Sequence, residues 1–130
     1  MPQLRQLHYR RLLVKGIELP ECGVARFLML FDGPWATLIV RELMHGPQRF
    51  GELRDALLGI SAHTLTNRLR LFEARGIVTR TAYPEIPPRV VYELTGLGWQ
   101  LRPVLDAMNA WGMAAPVSAF TPAAGEISTG

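Results

Sequence analysis

Apolar residues recur at helical spacing through four short blocks of the chain, each closed by a breaker. "CGVARFLMLF" (22–31) ends at Asp32-Gly33. "PWATLIVRELMHG" (34–46) gathers Trp35, Leu38, Ile39 and Leu43 on one broad face and closes at Gly46-Pro47. Pro34 suits its first helical position, where the missing N–H is not needed. "RFGELRDALLG" (49–59) stops at Gly59. "ISAHTLTNRLRLFEARG" (60–76) has Ser61 as an N-cap and Gly76 as a terminator. The spacing predicts four helices.

The period then shortens to that of strands. "IVTRTAY" (77–83) and "RVVYEL" (89–94) alternate, with Val90, Tyr92 and Leu94 on one face. Between them lies a stiff tip with Pro84, Pro87 and Pro88, followed by Arg89. Thr95 caps a last helix whose stripe is Leu97, Leu101, Val104, Leu105, Met108 and Trp111. Pro103 is expected to kink it or disturb one turn. Residues 1–20 show weak periodicity and carry Arg5, Arg10, Arg11 and Lys15, so they are expected to form a basic arm closed by Pro20. From residue 113 the chain is rich in small residues, Pro, Ser, Thr and Gly, and is expected to be a disordered tail. The expected division is an arm at 1–20, one domain at 21–112 and a tail at 113–130.

Two short helices joined by the tight "LLGIS" turn, followed by a hairpin, make a winged helix-turn-helix. The expected fold class is therefore α+β and mainly helical. In this arrangement the second helix of the pair enters the DNA major groove, and the hairpin tip lies beside it. On residues 61–76, Leu65, Leu69 and Phe72 project inward. His63, Asn67 and Arg70 project outward, with Thr66 beside Arg70, and Thr64 and Arg68 flank the core edge. Asn suits adenine and Arg suits guanine, while Thr and Arg also hold phosphates. Arg89 is the expected phosphate or groove contact of the wing. An ordinary solvated helix face would show the same polarity, and Arg75 and Arg80 fit simple surface charges. Leu71 stands apart, projecting well away from the Leu65–Leu69 side.

Composition is compatible with an anionic partner, although a solvated, mildly basic surface is the more common reason for such a balance. The net charge is +3 and the sequence pI about 9.6. Lys15 is the only lysine among the 14 Lys and Arg residues, and arginine suits bidentate contacts. The single cysteine, Cys22, permits no internal disulfide, as expected of a reducing cytoplasm. Lys15 and Glu18 interrupt the apolar character of the first twenty residues, so no secretory signal is read there. No run is long enough to span a bilayer. Nothing supports an enzyme or a cofactor. His8, His45 and His63 have no metal-ligand spacing, and no phosphate loop, paired carboxylate motif or serine elbow appears.

The residues "C" at 22, "W" at 35 followed by "LIVREL", "GPQRFGELRDALLGIS", "LTNRL", "GIVTRTAYPEIPPRVVYELTGLG" and "LRPVLDAMNAW" together resemble the HxlR family of bacterial winged-helix transcription regulators. The resemblance covers roughly residues 22–112. It implies a homodimer on pseudo-palindromic double-stranded DNA, with the dimer interface built largely from the first and last helices. On this chain the dimer face would comprise Val24, Phe27, Leu28, Phe31, Leu101, Leu105, Met108 and Trp111, although a monomeric core explains either stripe as well. Some family members sense quinones, aldehydes or oxidants through a cysteine at the position of Cys22, which makes it a candidate sensor for a small-molecule or electrophile effector; a packing cysteine is the alternative. The family usually has Gly-Lys where this chain has Gly33-Pro34, and Pro where it has Gly23; Leu71 replaces a residue that is often charged. None of these departures is expected to touch the DNA face. A dimeric protein-interaction module without DNA binding is the competing function, and loss of the outward Arg and Asn would mark it.

Overall fold

The computed structural model describes residues 10–123 and 125. In chain order the elements are β1 (Arg11–Val14), β2 (Ile17–Pro20), α1 (Gly23–Leu30), α2 (Ala36–Leu43), α3 (Phe50–Ala56) and α4 (Ala62–Ala74). They continue with β3 (Val78–Tyr83), β4 (Arg89–Leu94), α5 (Gly96–Trp99) and α6 (Arg102–Ala114). The winged helix-turn-helix and its mainly helical α+β character are as expected.

The N-terminal hairpin was not. Where an arm is expected, β1 and β2 pair antiparallel from Arg11↔Pro20 to Val14↔Ile17. Lys15 and Gly16 both take positive φ, 49° and 80°, the geometry a two-residue hairpin turn needs. Arg11 pairs with Glu18 at 3.3 Å, and Arg26 Nε donates to the Pro20 carbonyl at 2.6 Å, fastening the hairpin to α1. The signal lay in "VKGI", a Gly-containing dipeptide between two apolar runs. Residues 1–9 of the expected arm lie outside the described residues.

Pro34 does not open α2. It lies with Trp35 in the turn before Ala36, because Gly33 at φ +79° spends an extra residue redirecting the chain. Pro103 does more than kink the last helix. Thr95 caps α5, accepting from the Gly98 N–H at 3.2 Å, and the chain re-enters helix as α6 with Pro103 in its first turn. A proline there meets no donor requirement, so two helices replace one.

The core forms where the faces of α2, α3 and α4 converge on the wing. Ile39, Leu43, Leu53, Leu65, Leu69 and Phe72 are all buried there. Phe31 of the α1 end joins them, stacked on Phe27 at 4.7 Å and meeting Phe72 at 5.3 Å. Aromatic pairs at these separations add to simple burial. A third segment extends the wing sheet: the N–H groups of Gln48 and Tyr92 each donate to the other's carbonyl, at 2.9 and 2.8 Å. From residue 113, where a disordered tail is expected, residues 113 and 114 complete α6 and Val117–Phe120 forms a 3-10 turn. Residues 124 and 126–130 lie outside the described residues. Among the described residues no helix is long and apolar enough to cross a membrane.

Candidate nucleic-acid interface

The helix-turn-helix is α3 and α4. Residues 57–61 join them, with Leu57 and Ile60 buried and Gly59 at φ +94°. An L side chain is disfavoured at that φ, which explains the glycine in "LLGIS". The N-terminus of α4 is closed by Ser61, whose Oγ accepts from the Thr64 N–H at 3.0 Å. The Ser61 hydroxyl also donates to Thr64 Oγ1 at 3.0 Å, so Thr64 is engaged in the cap. At the other helix of the pair, the Arg49 N–H donates to Glu52 Oε1 at 2.8 Å.

Along α4 the inward and outward sets separate as expected. Leu65, Leu69 and Phe72 are buried, while His63, Asn67 and Arg70 are exposed and Thr66 is partly exposed. Asn67 Nδ2 lies 3.1 Å from His63 Nε2, one turn earlier. This contact leaves the Asn67 amide oxygen free as an acceptor. Arg70 forms no ion pair among the described residues, so its guanidinium is a free cation. Leu71 is half-buried and, with Thr64, Asn67 and Arg68, lines a shallow surface cleft on one flank of α4.

Two of the expected contacts are held by acids. Arg68 Nη1 donates to Asp32 Oδ1 at 3.0 Å. Its guanidinium lies over Gly33, where an added Cβ would approach Arg68 Nη2 to 3.1 Å. The Asp32-Gly33 turn therefore lies against the recognition helix. At the wing tip Arg89 donates to Glu85 through Nη2 at 2.8 Å and through Nε at 3.1 Å. It also stacks over Tyr83. The hydrogen bond from Arg89 holds the Glu85 carboxyl below its ordinary value and raises the guanidinium in return.

The residues expected at a dimer face divide by exposure. Phe31 is buried in the chain's own core, and Phe27, Leu101 and Leu105 are partly buried against that core. Packing within one chain thus leaves Phe31 no surface to offer. Val24, Leu28 and Met108 are exposed, and Trp111 is 71 % exposed. Cys22 is the half-buried N-cap residue of α1. Sequence reasoning missed Asp32, Glu85 and Tyr83, none of which carries a signal on its own; their roles arise from pairing. Among the described residues no cluster of His, Cys, Asp or Glu could hold a metal ion.

A helix-turn-helix with an exposed polar recognition helix and an arginine-bearing β-hairpin beside it defines a winged-helix DNA-binding domain. Residues 30–118 match the HxlR-like helix-turn-helix family, and the chain belongs to it. It is 50 % identical over 91 residues to the uncharacterized HTH-type transcriptional regulator sll1512 of Synechocystis sp. PCC 6803, covering 70 % of this chain and 67 % of that one. The structure of a MarR-family transcriptional regulator from Porphyromonas gingivalis W83 superimposes with a TM-score of 0.71 at 36 % identity, covering 77 % of this chain and 98 % of that one. The redox regulator HypR in its reduced form superimposes with a TM-score of 0.68 at 35 % identity, covering 72 % and 92 %.

Proposed function

We propose that the chain is a sequence-specific DNA-binding transcriptional regulator acting in the cytoplasm as a homodimer on a pseudo-palindromic operator. The observation that carries this reading is the exposed row of His63, Thr66, Asn67 and Arg70 along α4, set on a rigid buried face. Asn67 and Arg70 offer the hydrogen-bond groups that read adenine and guanine edges. Thr64 and the wing residue Arg89 are the proposed phosphate contacts, which would fix register without reading sequence. The outward Asn and Arg disfavour an interaction module that has lost DNA binding. Dimerisation is supported by the apolar groups left uncovered on α1 and α6, chiefly Val24, Leu28, Met108 and Trp111. Gel-shift titration of the full chain against its own upstream DNA and against a shuffled duplex tests the reading; it predicts preference for the first, with two chains per site.

Response to an oxidant or electrophile at Cys22 fits the same architecture. HypR has been solved in reduced and oxidized forms and YodB of Bacillus subtilis after diamide treatment, each at 35–36 % identity to this chain. Here Cys22 starts α1, and α1 ends in the Phe27–Phe31–Phe72 stack against the recognition helix. A displacement of α1 therefore has a packed route to α4.

A further inference from the structure

We propose that Asp32 is a specificity-determining positioning residue, which seats Arg68 on the Asp32-Gly33 turn and withholds its charge from DNA phosphates. Three observations converge. The first is the 3.0 Å bond from Arg68 Nη1 to Asp32 Oδ1, between residues 36 apart in sequence. The second is asymmetric exposure: the Arg68 side chain is 22 % exposed and that of Asp32 56 %. The cation is drawn down into the fold while the acid faces solvent. The third is the seat itself. Gly33 holds φ +79° and has no Cβ, and a Cβ would reach within 3.1 Å of Arg68 Nη2. Any other residue would strain the turn and crowd the guanidinium.

Arg68 follows Asn67 on α4 and shares the flanking cleft with Thr64 and Leu71. A free arginine at this place would grip phosphates of any sequence. Each such contact adds about 0.9 to the salt-dependence slope and strengthens non-specific binding. Paired with Asp32, the same arginine adds little net positive charge and instead fixes the flank of α4 against the turn that ends α1. The pair thus lowers affinity for random DNA and keeps the reading helix in one register. On an operator, loss of the seat offsets the extra phosphate contact; on random DNA there is no register to lose.

This inference rests on the DNA-binding reading, and one experiment separates the two. The full chain, its Asp32→Asn variant and the Asp32→Asn/Arg68→Met double variant are titrated against an operator duplex and a random duplex at several salt concentrations. Asp32→Asn is expected to steepen the random-DNA slope by about 0.9 and to tighten random-DNA binding roughly five- to tenfold near 0.1 M salt. The operator-to-random ratio falls, and the double variant returns to wild-type values on random DNA. A second readout needs no variant: the Arg68 guanidinium resonances of the wild type should stay in slow rotation when operator is added. Wild-type slope in Asp32→Asn, or release of Arg68 from its restrained state on operator binding, overturns the proposal while leaving the DNA-binding reading intact. A wild-type chain that binds neither duplex overturns both.

Discussion

The guanidinium of Arg89 sits 3.9 Å from the centroid of the Tyr83 ring, its cross-strand partner at the tip of the wing. Tyr83 and Glu85 together hold the side chain in one pose before any DNA arrives. A pre-positioned arginine loses less freedom on binding than a loose one. Arg89→Ala should weaken binding to operator and random DNA alike and flatten the salt dependence, because a phosphate contact carries no sequence information. Glu85→Gln should strengthen both. Salt titrations of the two variants check this, and a change confined to one DNA contradicts it.

The same pair makes a pH prediction. Arg89 holds the Glu85 carboxyl below its ordinary value of 4.5. A carboxyl depressed in the folded state contributes stability above its unfolded value, and that contribution is lost as pH falls through the folded value. Neutral pH should therefore leave the wing clamp intact, and only acid that falls through the lowered Glu85 value should open it. NMR titration of the Glu85 side chain should show the depressed midpoint, and Arg89→Ala should return it to the ordinary range.

Trp111 is the cleanest probe of dimerisation. It is largely exposed in the single chain, so Trp111→Glu leaves the monomer core untouched but places a charge on the proposed interface. Dimer dissociation should become at least tenfold easier, about 1.4 kcal/mol or more. Leu105 also packs on the chain's own core, so Leu105→Asp should destabilise the monomer as well. Sedimentation of the wild type as a monomer at micromolar concentration contradicts the dimer.

Gly98 joins wing and last helices. A Cβ there would lie 2.5 Å from the Ile77 carbonyl oxygen and 2.9 Å from Leu94 Cδ2. Gly98→Ala must push α5 off the strands and should cost about 1–3 kcal/mol, in line with other overpacked sites. Denaturant unfolding reads this directly; an unchanged midpoint would mean that α5 yields freely.

Oxidant sensing predicts that diamide or a quinone lowers operator affinity in the wild type and not in Cys22→Ser. Equal sensitivity of the two, or none in either, makes Cys22 a packing residue.

Much of this architecture was legible because local rules and tertiary packing agree. Ser61, Gly76 and Thr95 end elements through caps and φ values that depend on neighbours in sequence, and the buried Leu65–Leu69–Phe72 stripe follows from period alone. The wing strands were legible for the same reason. The N-terminal hairpin was not, since four-residue strands give too little alternation to stand out. Phe31 illustrates a second limit: periodicity says that a ring is buried but not whether its own chain or a partner covers it. The acid clamps at Asp32 and Glu85 illustrate a third. Asp32 and Arg68 meet only after α1, α2 and α4 have packed, and no spacing rule connects positions 32 and 68.

The central claim, that the outward face of α4 reads base sequence, is tested most directly by selecting duplexes from a random pool with the full chain and titrating the recovered site with Asn67→Ala and Arg70→Ala. The expected site is an inverted repeat whose half-sites lie roughly 34 Å apart, one turn of DNA, and each variant should lose about 1–3 kcal/mol on it with relaxed preference at one base pair. Recovery of no enriched sequence, or wild-type affinity in both variants, would contradict the assignment of this face.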